Sequence, residues 1–130
     1  MNNKKQISEL FDYQPKSGRK AGDGLEKGIF PFYTSSQIQN KYLNDYDYEG
    51  NCLVLGTGGK PSIHFASGKF STSNDCFVIQ PKNDNEIHSK FLYYYFLNNM
   101  YILENGFRGA GLKHLSRSYL NNLVAKSFRT

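Results

Sequence analysis

The ten residues Cys52-Leu53-Val54-Leu55-Gly56-Thr57-Gly58-Gly59-Lys60-Pro61 decide the fold. Four consecutive apolar residues that end at a glycine are typical of a short buried strand, and the glycines and proline that follow predict a tight turn. Beyond this turn Ile63 and Phe65 alternate with polar residues, and Ser67-Gly68-Lys69 predicts a second turn before Phe70. The middle of the chain therefore reads as a series of short antiparallel strands.

Further strands are predicted on both sides of this region. Cys76-Phe77-Val78-Ile79, closed by Pro81, is the strongest strand signal. Gly28 to Tyr33 also looks extended, and Pro31 within it indicates an edge strand or an irregular one. Before it, residues 6–11 read as a short docked segment and residues 14–28 as a glycine-punctuated loop.

The helical signals come late in the chain. One long helix is predicted over about residues 86–104, with Asn83 as its cap and Glu86 at capping-box spacing. Gly106 stands where a glycine commonly ends a helix, and a second, short helix is predicted from Ser116 to Leu123. We therefore expect an α+β fold: a small twisted, mostly antiparallel β-sheet with one long helix and a short C-terminal helix.

Length, composition and charge narrow the class of protein. The chain has 130 residues, which predicts one domain over 1–130, and 38% of them are hydrophobic, as in globular proteins. No apolar run is long enough for a membrane span or a signal peptide, and Cys52 and Cys76 form no metal or disulfide motif, so we expect a soluble, cytoplasmic protein with two reduced thiols. The net charge of +5 permits binding to a polyanion such as nucleic acid without requiring it.

The sequence carries no recognisable catalytic or cofactor motif. His64, His88 and His114 have no metal-site spacing, so we expect no metal and no cofactor. A phosphate-binding P-loop fails because Val54 occupies its first glycine position and Pro61 follows Lys60. We therefore expect a protein that is not an enzyme, and we interpret residues 56–61 as a tight turn.

Taken in order, the segments resemble the target-recognition domains of DNA specificity subunits in type I restriction–modification systems. The resemblance lies in a series of weak motifs spread over nearly the whole chain. These are Gly28-Ile29-Phe30-Pro31-Phe32-Tyr33-Thr34-Ser35-Ser36, Leu53-Val54-Leu55-Gly56-Thr57-Gly58-Gly59, Gly68-Lys69-Phe70-Ser71-Thr72-Ser73-Asn74, Phe91-Leu92-Tyr93-Tyr94-Tyr95-Phe96-Leu97, Gly111-Leu112-Lys113-His114-Leu115-Ser116 and Leu120-Asn121-Asn122-Leu123.

The resemblance implies a function in DNA recognition without catalysis. Such a domain binds one half of a bipartite duplex-DNA site and directs methyltransferase and restriction subunits to it. The family's full subunit carries two recognition domains separated by long helices. Because this chain stops about where the first long helix would begin, we expect a single half, either natural or truncated, that could form a homodimer.

Three groups of residues are candidates for DNA contact, because they carry donors, acceptors or positive charge on predicted loops. Each group has a plain alternative: scattered surface charge for the first, a simple hairpin for the second and a basic patch for the third. The aromatic residues Tyr93 to Phe96 are expected to be mostly core, whereas Tyr42, Tyr46 and Tyr48 could pack or contact DNA. The candidates are Lys16, Arg19, Lys20, Tyr33, Ser35, Ser36 and Gln37 in the first group, Lys60 in the second, and Arg108, Lys113, His114 and Arg117 in the third.

Two other functions stay open at this point. The chain could be the recognition part of a methyltransferase or nuclease whose catalytic half lies outside these residues. It could also be an interaction or decoy protein that binds the methyltransferase subunit without reading DNA.

Overall fold

The computed structural model describes residues 4–107 and 114–126, and within them the chain forms an α+β fold. A short 3-10 helix at Ala21–Asp23 lies in the loop after the second strand. The strands are β1 (Lys4–Gln6), β2 (Phe11–Tyr13), β3 (Phe30–Tyr33), β4 (Lys41–Leu43), β5 (Tyr48–Gly56), β6 (Ile63–Thr72), β7 (Cys76–Pro81) and β8 (Val124–Lys126); the helices are α1 (Ile7–Leu10), α2 (Ser89–Leu97), α3 (Tyr101–Asn105) and α4 (Arg117–Asn122).

The main sheet is built around the long β5–β6 hairpin. Among the described residues it has six strands in the order β2-β7-β5-β6-β3-β4. All neighbouring strands are antiparallel except β3 and β6, which pair in parallel through Phe32–Ser71 and Tyr33–Thr72. The predicted mostly antiparallel sheet is therefore confirmed, and the predicted tight turn after Gly56 is the β5–β6 connection.

The hairpin has a pair of glycines with positive φ at its middle. Gly50 and Gly68 lie opposite each other and have φ values of 135° and 84°, which residues other than glycine rarely adopt. The turn predicted at residues 67–69 is wrong, because β6 continues through this point as a bent strand. The bend brings both ends of β6 to one aromatic ring: Tyr33 lies 5.2 Å from His64 and 5.8 Å from Phe70 between ring centres.

Pro31 does not mark an edge strand, because β3 lies between β6 and β4. Tyr42, the residue opposite Pro31, exchanges both of its backbone hydrogen bonds with Leu25. The Pro31–Tyr42 pair is therefore one of the antiparallel pairs that exchange no hydrogen bonds, so the missing N–H of proline costs no hydrogen bond to β4.

The two faces of the sheet bury separate apolar clusters. Alternation along β5 sends Leu53 and Leu55 to one cluster and Cys52 and Val54 to the other. The first cluster packs the helices against the sheet. The second cluster consists of Tyr33, Tyr48, Cys52, Val54, Ala66, Phe70, Cys76 and Val78.

The predicted long helix over 86–104 is not confirmed, since α2 and α3 are separate short helices. Asn83 caps a tight turn instead, accepting from the Asn85 amide at 2.9 Å. Between α2 and α3 the Asn99 side chain donates to the Tyr95 carbonyl at 2.8 Å, so a side chain competes with the backbone for a helical acceptor. Of the aromatic run, Phe96 is buried and Tyr93 packs on the core, but Tyr94 and Tyr95 are exposed.

The two ends of the described chain meet in a ribbon that the sequence analysis did not predict. Strands β1 and β8 pair antiparallel, and the Ile7 amide donates to the Leu123 carbonyl at 2.8 Å. Before β8, the Ser116 hydroxyl caps α4 by accepting from the Tyr119 amide at 3.0 Å, which confirms the predicted short C-terminal helix. No helix in the described part of the chain is long and apolar enough to cross a membrane.

Candidate nucleic-acid interface

The loop after β3 is fastened to the β5–β6 turn by one serine. The Ser35 hydroxyl donates to the Gly58 carbonyl at 2.7 Å and accepts from the Gly58 amide at 3.1 Å. Gly56 allows this approach, because a β-carbon there would overlap the hydroxyls of Ser35 and Ser62. Two segments that the sequence analysis treated as separate candidates therefore form one surface.

Two further bonds hold the same loop. The Gln37 side-chain amide donates to the Pro61 carbonyl at 3.0 Å, and the half-buried His64 ring contacts the Ser36 carbonyl through Nε2 at 2.7 Å. Because a carbonyl can only accept, Nε2 carries the proton of the neutral ring. Burial lowers the pKa of His64, which favours this neutral form.

His114 brings a third segment to this surface. It forms a β-bridge with Gly58, the Leu115 amide donates to the Thr57 carbonyl at 2.9 Å, and the exposed His114 ring contacts that carbonyl through Nδ1 at 3.2 Å. We call the loop at 34–38, the turn at 57–62 and His114 together the loop edge. A shallow concavity of about 330 Å³ on this edge is lined by Ser35, Ser36, Gln37, Ile38 and Lys60.

The β6–β7 turn at 73–75 joins the loop edge to the first predicted loop. Its three residues each make a backbone bond to a different segment: Ser73 donates to the Tyr33 carbonyl at 2.8 Å, Asn74 donates to the Arg19 carbonyl at 2.7 Å, and the Asp75 carbonyl accepts from Thr57 at 2.9 Å. Neither this turn nor His64 was among the candidate contact residues chosen from the sequence. Backbone bonds leave no signature in residue types, so the turn could not have been found from the residues alone. The His64 ring reaches the loop only through the tertiary fold, which brings it to the Ser36 carbonyl.

Lys16 and Arg19 of the first loop line a second concavity, of about 490 Å³, together with the acidic residues Asp47 and Glu49. Arg19 is already paired there, with its Nε 2.6 Å from Asp47 and an Nη 3.2 Å from Asp45. The hydrogen-bonded guanidinium lowers the pKa of Asp47. Lys16 and Lys20 are exposed, and the Lys16 ammonium lies 5.8 Å from the centre of the Phe77 ring.

Two further predicted contact residues, Tyr33 and Arg117, also lie outside the loop edge. Tyr33 is 8% exposed within the second core cluster, and burial raises the pKa of its phenol, so it supports the loop that follows it. Arg117 begins α4 and stacks on Tyr13, with the guanidinium carbon 3.9 Å from the ring centre. Arg108 and Lys113 lie outside the described residues.

The three tyrosines left open by the sequence differ in position. Tyr48 is buried and donates to the Pro15 carbonyl at 2.6 Å, which makes it a core residue. Tyr42 is half-buried in β4, and Tyr46 is exposed beside Phe30, with the Lys69 ammonium 5.0 Å from its ring centre.

One solved structure has a similar fold, and two curated proteins have similar sequences over part of the chain. The S subunit of a type I restriction–modification system from M. genitalium superposes with a TM-score of 0.76 at 17% identity, covering 93% of this chain and 33% of that one. Two Mycoplasma pneumoniae proteins described as type I specificity subunits are 36% identical over 70 residues and 34% identical over 91 residues.

These matches cover 50% and 66% of this chain but only 23% and 25% of the two relatives, so the chain spans about a quarter of their length. The sequence model of the family described as the type I restriction modification DNA specificity domain matches residues 2–124. That match covers most of the chain, which therefore belongs to the type I restriction–modification DNA specificity domain family.

Proposed function

We propose that this chain, as a single domain over residues 1–130, is a non-catalytic module that recognises a duplex-DNA sequence through the loop edge. The observation that carries this proposal is the convergence of three separate segments on Gly58 and Thr57 by short hydrogen bonds. Loops held in this way present polar groups at fixed positions, which the reading of base edges requires. The net charge of +5 supports attraction to a polyanion.

Side chains on the loop edge divide into two kinds of contact. Lys60 is exposed beside the concavity and suits a phosphate, which binds a lysine as a point charge. Ser36 accepts from the Ile38 amide at 3.2 Å and keeps its own hydroxyl hydrogen for a base or phosphate oxygen. His114 is exposed and completes the edge.

Lys16 and Lys20 extend the positive surface beyond the β6–β7 turn. Arg108 and Lys113 would belong to the same interface, since they come just before His114 in the chain. The guanidinium of Arg19 already contacts Asp47 and Asp45, so a phosphate would compete with these two carboxylates for it. Arg117 would contact the phosphate backbone of the DNA at the margin of the site.

The wider role rests on family membership. In the proposed assembly the domain directs a methyltransferase subunit and a restriction subunit to one half of a bipartite site. A homodimer of the chain would present two such half-site modules related by two-fold symmetry.

The proposal is tested by replacing one lysine on the loop edge and one elsewhere. Lys60→Ala should lower the slope of log affinity against log salt by about one unit, as expected for loss of one phosphate contact. Lys90→Ala removes the same charge from α2, where Lys90 is also exposed, and should leave the slope unchanged.

Equal slopes for both variants and the wild-type chain would contradict the placement of DNA at the loop edge. Binding to the methyltransferase subunit without any affinity for duplex DNA would instead favour the interaction-protein function.

A further inference from the structure

One large apolar side chain projects from the polar loop edge. Ile38 is 69% exposed, and it lines the same concavity as Ser36, Gln37 and Lys60. Single exposed apolar residues are common on protein surfaces. This one differs in its setting, because it stands at the tip of a loop whose other side chains are polar and lie beside an exposed lysine.

The loop fixes Ile38 in this outward position. The residues before it are tied to the turn and to β6 through Gln37–Pro61 and His64–Ser36. The Ile38 amide donates to the Ser36 hydroxyl at 3.2 Å, and on the other side the Gln39 side chain donates to the Lys41 carbonyl at 2.6 Å. These bonds restrain the chain on both sides of Ile38, whose side chain is exposed.

An apolar group among polar ones at a DNA-reading edge has a specific complement. The major groove presents one apolar feature on a base edge, the C5-methyl group of thymine, and aliphatic side chains contact it. A neighbouring lysine on the phosphate backbone would place the loop tip in the groove. The side chain and its surroundings therefore match thymine better than the other three bases.

We propose that Ile38 is a specificity-determining residue that recognises the methyl group of a thymine in the major groove. This inference rests on the proposed DNA-recognition function and adds one base to it. It predicts that the sequence preferred by the chain contains a thymine opposite the 34–38 loop.

The test replaces each thymine of the preferred duplex, one at a time, by deoxyuridine, which lacks only the methyl group. At one position the replacement should weaken binding to the full chain by about fourfold. This is the loss expected when one methyl group is no longer there to be buried in the interface. Ile38→Ala should bind the thymine and deoxyuridine duplexes equally at that position.

Ile29 provides a matched control. It is 71% exposed, but it precedes β3, whereas the 34–38 loop follows that strand. Ile29→Ala should therefore keep the fourfold preference for thymine over deoxyuridine.

Three outcomes would overturn the inference. These are a preferred site without thymine, affinities within twofold for every deoxyuridine duplex, or an Ile38→Ala chain that retains the preference. Sequence-selective binding with any of these results would overturn the role of Ile38 alone. Absence of binding to every duplex would overturn the proposed function as well.

Discussion

The hydroxyls of Ser35 and Ser62 both lie beside Gly56, but only one of them is hydrogen-bonded, so the same serine-to-alanine change can be compared in two different settings. The Ser35 hydroxyl makes two hydrogen bonds with Gly58, at 2.7 and 3.1 Å. The Ser62 hydroxyl is buried, with the residue 2% exposed, and has no hydrogen-bond partner among the residues that the structure describes. Removing the two hydroxyls should therefore change the free energy of unfolding in opposite directions.

The magnitudes follow from the number of bonds. A neutral hydrogen bond contributes about 1 kcal/mol net, so Ser35→Ala should lower the free energy of unfolding by about 1–2 kcal/mol. A buried hydroxyl without a partner costs about 1–3 kcal/mol, so Ser62→Ala should raise it by about 0.5–1 kcal/mol after some loss of packing. For a chain of 130 residues, 1 kcal/mol corresponds to about 3–4 °C in Tm.

Thermal unfolding of the two variants and the wild-type chain, followed by circular dichroism or calorimetry, measures both effects. We expect Tm to fall by about 3–8 °C for Ser35→Ala and to rise by about 2–4 °C for Ser62→Ala. Equal losses in the two variants, or a larger loss for Ser62→Ala, would refute the assignment of Ser35 as the link between the two segments.

Three further predictions concern titratable groups. Burial lowers the pKa of His64, so the unfolded chain binds a proton more readily than the folded chain. The contribution of His64 to the free energy of unfolding should therefore be full above pH 6.5, about the usual imidazole pKa, and should fall below that pH. Urea titrations at pH 5.5 and 7.5 measure this decline, and His64→Gln should flatten it. Burial raises the pKa of Cys52 to about 11 and of Cys76 to about 12, so a thiol reagent at about pH 8 should modify both cysteines only in denaturant. Rapid reaction of the folded chain would show that solvent reaches the second apolar cluster. Asp47→Asn should remove one of the two carboxylates paired with Arg19 and raise the salt slope of DNA binding by up to about one unit; an unchanged slope would place the first loop away from DNA.

The parts of the fold that the sequence predicted depend on local signals. The apolar run Cys52–Leu55 ends at a glycine and forms the buried centre of β5, and Ser116 caps α4 through a bond to a residue three positions on. Both are set within one strand or one helical turn, where residue type and spacing dominate.

The parts that the sequence missed depend on distant partners. The parallel pairing of β3 with β6 joins residues about forty positions apart, and β1 with β8 joins the two ends of the described chain. The break between α2 and α3 comes from a competing bond by Asn99, which the apolar periodicity around it conceals.

The same contrast between local signals and distant partners applies to the candidate site. Ser35, Ser36, Gln37, Lys60 and His114 were chosen as polar groups on predicted loops, and the structure brings them together. Residue types could not show that Arg19 is neutralised by Asp47, because the two are brought together by the tertiary fold.

The central claim, that this chain reads a DNA sequence, is tested most directly by selection from a randomised duplex library at low salt, followed by sequencing of the bound fraction. We expect enrichment of one short, fixed sequence, which would be the half-site of the chain. Binding without enrichment of any sequence, or no binding at all, would contradict the claim.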